Sequence, residues 1–161
     1  MKRSRDQEDV QPVESDRYDQ DYFLSACEGY EEFLTSEGKA LSRRLTAAFS
    51  VARIEPGMRV LDVGCGRGEI LRHCTRLGAE AHGIDYAAVA VEMSRQAVTD
   101  GEAAGVYQAD AKYLPFADAI FDRVLLFDIV EHLHPWELDR ALRAVWRVLR
   151  PGGRVVVHTA P

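Results

Sequence analysis

Long apolar runs are missing from this 161-residue chain. No segment approaches the roughly 20 consecutive apolar residues that a bilayer-spanning helix requires. No apolar stretch follows the basic start either, as it would in a secretory leader. Clustered basic residues are also missing. Met1–Arg5 carries three cations, but Asp6, Glu8 and Asp9 follow at once, so nothing reads as a nucleic-acid arm or a phosphate-binding surface. Cysteine is scarce: Cys27, Cys65 and Cys74 are odd in number and hold no Cys-x-x-Cys pair. That fits a reducing compartment and argues against a disulfide frame or a zinc site. Repeats and low-complexity tracts are lacking too. Together these absences lead us to expect a cytoplasmic protein without membrane, nucleic-acid or metal partners.

What is present is enough for one packed domain, with 47% hydrophobic residues over a length that can bury a core. The net charge is −6, and most of that excess precedes Glu37. Residues 1–15 are polar and aperiodic and are expected to be a disordered tail. Residues 16–55 read as a helical cover. Tyr22, Phe23, Ala26, Tyr30, Phe33 and Leu34 recur at three- and four-residue spacings, with Gly29 or Gly38 as a break, and a second helix is expected from Lys39 to Val51. Pro56-Gly57 ends this part. From there to 161 the chain alternates. Strands are expected at Met58–Val63, Glu80–Ile84, Val106–Ala109, Arg123–Phe127 and Arg154–His158. Helices are expected at Glu69–Leu77, Ala87–Val98 and Trp136–Leu149. This order predicts right-handed βαβ units: an α/β, Rossmann-like, doubly wound, mainly parallel sheet of five strands.

The informative segment is Val60-Leu61-Asp62-Val63-Gly64-Cys65-Gly66-Arg67-Gly68-Glu69-Ile70, a strand running into a Gly-x-Gly-x-Gly turn that opens a helix. Glycines are required where the backbone takes special conformations or lies against a ligand. A dinucleotide site would place a further glycine at position 69 and pyrophosphate at the helix start. Glu69 stands there instead, with Asp62 near the strand end. Two carboxylates oppose a pyrophosphate but suit a ligand that carries an ammonium and a sulfonium. Asp85 ends the second strand, about 20 residues on, where a carboxylate accepts from both ribose hydroxyls. Asp110 ends the third, placed to accept from the exocyclic amine of an adenine. Ligands in such sheets bind at the carboxyl edge of the strands, so three acids at three successive strand ends form one argument.

With these residues in view, the sequence resembles the class I S-adenosylmethionine-dependent methyltransferases, within the methyltransferase type 11 group. The resemblance rests on the glycine segment 60–70, on Gly83-Ile84-Asp85, and on Gln108-Ala109-Asp110-Ala111 followed by Leu114-Pro115-Phe116. It rests also on Phe121-Asp122-Arg123-Val124 and Leu149-Arg150-Pro151-Gly152-Gly153. It implies S-adenosylmethionine as cofactor and S-adenosylhomocysteine as product. It further implies that Asp62, Gly64, Cys65 and Gly66 line the methionine part, Asp85 and Tyr86 the ribose, and Asp110 and Ala111 the adenine. Asp128 then reaches toward the methionine and sulfonium end. In that family the helices before the domain commonly cover the cofactor, and Tyr22, in the aromatic group with Tyr18, Phe23 and Tyr30, is the candidate ring against the sulfonium.

On the acceptor side, His132 is the candidate general base for a hydroxyl acceptor, in Glu131-His132-Leu133-His134. The spacing of Glu131, His132 and His134, without a further ligand, does not make a metal site. His158 ends the fifth strand at the same edge. Trp146 shares a helical face with Leu142 and Leu149 and is expected in the core. Family members continue past the fifth strand to two more strands, whereas this sequence stops at Pro161. The domain is therefore expected to be C-terminally incomplete. An open fifth-strand edge at Val155–Val157 then invites self-association. Two functions remain open: a methyltransferase acting on a small-molecule acceptor, and a cofactor-binding module without transfer activity. A nicotinamide-dependent reductase fails on the loop charges and lacks a Tyr-x-x-x-Lys pair.

Overall fold

A computed structural model describes residues 11, 18–26, 29–36, 40–98 and 105–159. The expected disordered tail, apart from Gln11, lies outside the described residues, as do Cys27 and Gly38. The cover begins with a π-helical turn, Tyr22–Ala26, followed by α1 (Tyr30–Ser36). Gly29, at φ +79°, separates the two. Helix α2 covers Arg43–Ala52, not Lys39–Val51. Its start is set by Ser42, whose hydroxyl accepts from the Leu45 N–H, a serine N-cap satisfying one of the free donors of the first turn.

The sheet comprises β1 (Arg59–Val63), β2 (Glu80–Asp85), β3 (Gly105–Gln108), β4 (Phe121–Phe127) and β5 (Leu149–His158). All pairings are parallel, in the order β3-β2-β1-β4-β5. Helices α3 (Glu69–Arg76), α4 (Ala88–Ala97) and α5 (Pro135–Val148) supply the crossovers. Strand order reverses between β1 and β4, the switch point where doubly wound sheets open a crevice for ligands.

The core lies on both faces of the sheet, because successive strand residues point to opposite sides. Val60 of β1 and Leu125 and Phe127 of β4 pack with Leu45, Ala48 and Ala52 of α2 and with Ile70, Leu71 and Cys74 of α3. Leu61 and Val63, with Val124 and Leu126, pack against Ala141, Val145 and Val148 of α5. That register corrects the reading of Trp146. The buried stripe of α5 runs at i, i+4 and i+7 from Ala141, and Trp146 falls one residue, about 100°, off it. Its side chain is 81% exposed, and Leu142 is largely exposed as well.

Strand β5 is longer than expected, starting at Leu149 opposite Phe121. It passes through Pro151-Gly152-Gly153 by a register shift, with Gly152 at φ +80°. Among the described residues it pairs with β4 alone. Val155 and Val157 share the α5 side of the sheet with Val124 and Leu126, yet both remain exposed. Among the described residues, no helix is long and apolar enough to cross a membrane.

Candidate functional site

The glycine turn leaves β1 and enters α3 with three left-handed residues: Gly64 at φ +78°, Gly66 at +49° and Gly68 at +82°. Gly68 has a second reason to be glycine. A Cβ there would lie 2.9 Å from the Ser94 Cα of α4, so the loop and α4 touch backbone to backbone. The Ser94 hydroxyl seals that contact by donating to the Gly66 carbonyl at 2.7 Å. The other side of the turn faces a cleft at the carboxyl ends of the strands.

The cleft has two compartments, which share Phe23, Gly64, Asp128 and His132. One is lined by Asp85, the last residue of β2, and Tyr86 after it, by Asp110 and Ala111 after β3, and by Tyr18 and Lys112. The other is lined by Asp62, Cys65 and Gly66 of the turn and by Arg44, Glu69 and Glu131. Of the residues expected at the cofactor, Asp62, Gly64, Cys65, Gly66, Asp85, Tyr86, Asp110, Ala111 and Asp128 thus border one cleft. Tyr22 does not line it. Its neighbours Tyr18 and Phe23 do, and Tyr22 meets both edge to face at 5.1 Å. The Phe23 ring sits directly on the turn, 3.7 Å from where a Gly66 Cβ would be.

The acids differ in state. Asp62 is 2% exposed. Burial pushes its carboxyl up to about 8, and the nearby carboxylates of Asp85 and Glu69 add to the effect. Asp85 is raised by burial too, opposed by backbone donors. Its oxygens accept from the Gly66 N–H at 3.0 Å and the Ala87 N–H at 2.9 Å, which ties the turn to the start of α4. Glu69 behaves differently from its reading in the sequence. Arg67, itself buried, pairs with it at 3.0 Å, so Glu69 adds little net charge to the cleft. Arg67 also donates to the Phe23 carbonyl at 3.0 Å and lies 4.9 Å over the Phe33 ring. It thereby pins the N-terminal cover onto the glycine turn.

Asp128 follows β4 in a left-handed conformation, φ +54°. Its carboxylate is held by the two terminal nitrogens of the Arg44 guanidinium, at 2.6 and 2.7 Å, and by His158 Nδ1 at 3.1 Å. Burial alone would raise its pKa, but the bonds to Arg44 and His158 outweigh this and lower it. His158 is thus part of a structural clamp with Arg44. His132 ends the short 3-10 turn Val130–His132. Exposed, it stands where the two compartments meet, with Tyr18 edge-on at 5.8 Å. Arg44, Arg67, Lys112 and Phe23 all border the cleft. The three cations carried no signal in the sequence, because each acquires its place through partners distant in the chain or through burial. Phe23 could have been found: it belongs to the same aromatic group as Tyr22, one residue on.

The donor set fits S-adenosylmethionine. The lining offers buried carboxyls for an ammonium, the Arg44 guanidinium, now paired with Asp128, for a carboxylate, and a half-buried glycine backbone at Gly64 and Gly66 along which an extended ligand can lie. At the far end a carboxylate, Asp110, precedes a backbone N–H, that of Ala111. This is the acceptor–donor order that matches the amine and ring nitrogen of adenine.

The family model for a methyltransferase domain matches residues 61–157. The chain is 34% identical to a ubiquinone biosynthesis O-methyltransferase of Mesorhizobium japonicum over 67% of this chain and 43% of that protein. It is 36% identical to the ubiquinone/menaquinone biosynthesis C-methyltransferase UbiE of Vibrio campbellii over 73% of this chain and 46% of that protein. It therefore spans less than half the length of these curated relatives. Among solved structures, the [4+2]-cyclase SpnF superposes with a TM-score of 0.69 at 26% identity, covering 92% of this chain and 61% of that one. An S-adenosylmethionine-dependent methyltransferase from Mesorhizobium loti superposes with a TM-score of 0.63 at 26% identity, covering 70% and 50%.

Proposed function

From the premise that this chain belongs to the methyltransferase-domain family, we propose that it binds S-adenosylmethionine across its strand ends and serves methyl transfer to a small-molecule acceptor in the cytoplasm. One observation carries the reading: a single cleft at the β1–β4 switch point is bordered by the glycine turn, by the acid that ends β2 and by the acid that follows β3. When bound, the cofactor supplies an electrophilic methyl group on a sulfonium.

The chain's residues bind and orient. Asp85 offers its remaining lone pairs to the ribose hydroxyls while its backbone donors keep it fixed. Asp110 and the Ala111 N–H take the adenine edge. Asp62 takes the ammonium, and Arg44 turns its guanidinium toward the α-carboxylate. Phe23 and Tyr18 exclude water from above the turn. Alignment of acceptor and methyl group supplies most of the acceleration in such a displacement. His132, at the meeting of the two compartments, accepts the proton of a hydroxyl acceptor. Calorimetry with S-adenosylhomocysteine against NAD tests the cofactor. Tight binding of the first with little of the second is expected, and equal binding overturns the reading. A His132→Ala loss of about 10²–10⁴-fold in transfer rate, with unchanged cofactor affinity, tests the base.

The second reading is a cofactor-binding module without transfer activity. It is favoured by the likeness to SpnF, named for a cyclisation, because one fold hosts unlike chemistries. Transfer by a chain extended to the full length of its relatives separates the two. Self-association through β5 is supported by its edge position among the described residues and by the exposed Val155 and Val157. Sedimentation of the isolated chain, with Val157→Lys as control, tests it: a wild-type monomer at all concentrations refutes it.

A further inference from the structure

Lys112 and Glu137 form a charged pair at the adenine end that the proposed mechanism does not use. Glu137 lies in the first turn of α5, and its side chain is 2% exposed. A carboxylate that buried requires partners, and two are present. The His134 N–H donates to Oε2 at 3.1 Å, and Lys112 Nζ bonds Oε1 at 2.6 Å. Lys112 is largely buried itself, and its second ion pair is to Asp110 Oδ2 at 3.0 Å. The Lys112 backbone N–H donates to the other oxygen, Oδ1, at 2.8 Å. Burial alone would lower the Lys112 pKa, but the bonds to Glu137 and Asp110 outweigh this and raise it. Both oxygens of Asp110 are therefore oriented by one residue, and that residue is anchored by a buried acid on another element. Among the described residues bordering this compartment, Lys112 is the one Lys or Arg.

Resting on the cofactor reading above, we propose that the Lys112–Glu137 pair determines purine specificity, with Lys112 as a positioning residue for Asp110. A 6-amino purine presents a donor and an acceptor to Asp110 and the Ala111 N–H. A 6-oxo purine presents the reverse, and its oxygen needs a donor. Lys112 Nζ is the nearby group able to supply one. Glu137 withholds it through the shorter of the two ion pairs and leaves Asp110 to act as an acceptor. Without the Glu137 charge, Asp110 is the one anion left paired with Lys112 among the described residues. It then partly neutralises the adenine acceptor and becomes free to turn toward a 6-oxo group. A site that leaves a buried polar group of the wrong ligand unpaired discriminates strongly, so a few ångströms of lysine movement set the selectivity.

The test titrates S-adenosylhomocysteine and S-inosylhomocysteine by calorimetry into the full chain and its variants. Wild type is expected to favour the adenosyl compound by at least about thirtyfold. Glu137→Gln keeps the shape of the side chain and should reduce that ratio at least about tenfold, mainly by gaining affinity for the inosyl compound. Adding Lys112→Met to it should restore discrimination, because the relaxed binding runs through the lysine. Lys112→Met alone should weaken adenosyl binding several-fold without raising inosyl binding, and Lys112→Arg should recover part of the loss. An unchanged ratio in folded Glu137→Gln overturns the proposal, as does a relaxed ratio that persists in the double variant. Should Glu137→Gln not fold, an adenosyl affinity unaffected by Lys112→Met overturns it equally. Failure of wild type to bind S-adenosylhomocysteine at all defeats the cofactor reading itself, whereas good binding with unaltered ratios defeats only the specificity inference.

Discussion

On the proposed reading, Asp62 should tie cofactor binding to a proton. Its carboxyl is buried, and burial, with Asp85 and Glu69 nearby, holds its pKa at about 8. At pH 7 such a group is mostly protonated. An ammonium brought beside it favours the charged form, so binding should expel that proton. The expected release at pH 7 is on the order of one proton per ligand, and it declines as pH rises past about 8. Calorimetry in buffers of different ionisation enthalpy reads this number directly, and S-adenosylhomocysteine is the suitable titrant. The same shift sets the sign of a stability effect. The folded pKa lies above the unfolded one, so the folded chain holds a proton that the unfolded chain gives up. The associated stability is fully present below the ordinary carboxylate range and is lost as pH rises toward 8. Asp62→Asn removes the titration. It should stabilise the ligand-free protein above pH 8 by a few kcal/mol, roughly the linkage cost of ionising the buried acid, while weakening ligand binding. A wild-type release of no proton, or equal release from Asp62→Asn, refutes the reasoning.

Asp85→Ala should cost about 1.5–3 kcal/mol of cofactor affinity, the range for hydrogen bonds to a charged group, and Asp85→Asn should also bind weakly. Calorimetry that finds either equal to wild type removes Asp85 from the ribose. Arg44→Met should weaken S-adenosylhomocysteine roughly tenfold, the loss of one charge-assisted pair. It should also raise the Asp128 pKa, which carbon-detected NMR titration follows. Because Asp128 is held low, the clamp stabilises the fold at neutral pH and is lost as pH falls through its folded pKa, a dependence that Arg44→Met should flatten. Trp146→Ser should leave thermal stability within about 0.5 kcal/mol, as for other exposed positions. Val145→Ala, one residue away on the buried stripe, should cost about 2 kcal/mol, and denaturant melts compare the two.

The central strands were legible because both of their faces are covered, so β1 and β4 carry adjacent apolar residues in Val60-Leu61 and Val124-Leu125-Leu126. The turn was legible because glycines and acids cluster within eleven residues. Boundaries failed where a single hydrogen bond decides them, as at Ser42 before α2. Trp146 failed for a different reason. A helix pattern of mostly apolar residues admits two stripes, and the one containing Leu142, Trp146 and Leu149 is as apolar in sequence as the one containing Ala141, Val145 and Val148. The sheet chose the stripe of smaller residues, which lets α5 lie close against Leu61 and Val124.

Charge pairing escaped the sequence more completely than packing did. Glu69 counts as an acid beside the turn until Arg67 cancels it, and nothing in Gly-Arg-Gly-Glu says that the arginine folds back under Phe23 and Phe33. Arg44 stands 84 positions from Asp128 and 114 from His158, yet the three form one cluster across α2, β4 and β5. That cluster has a mechanical consequence. Helix α2 belongs to the segment read as a cover, and its guanidinium is anchored on the strand that ends at the switch point. A ligand carboxylate in the second compartment must compete with Asp128 for Arg44. If the carboxylate wins, Asp128 keeps only His158, and its own carboxylate becomes available to a cation in the cleft. The ligand's two opposite charges would then be matched by splitting an ion pair already in place. The pairing spares the ligand-free fold two unpaired ions in a half-buried site, and the ligand's own contacts must offset the Arg44–Asp128 pair that they replace.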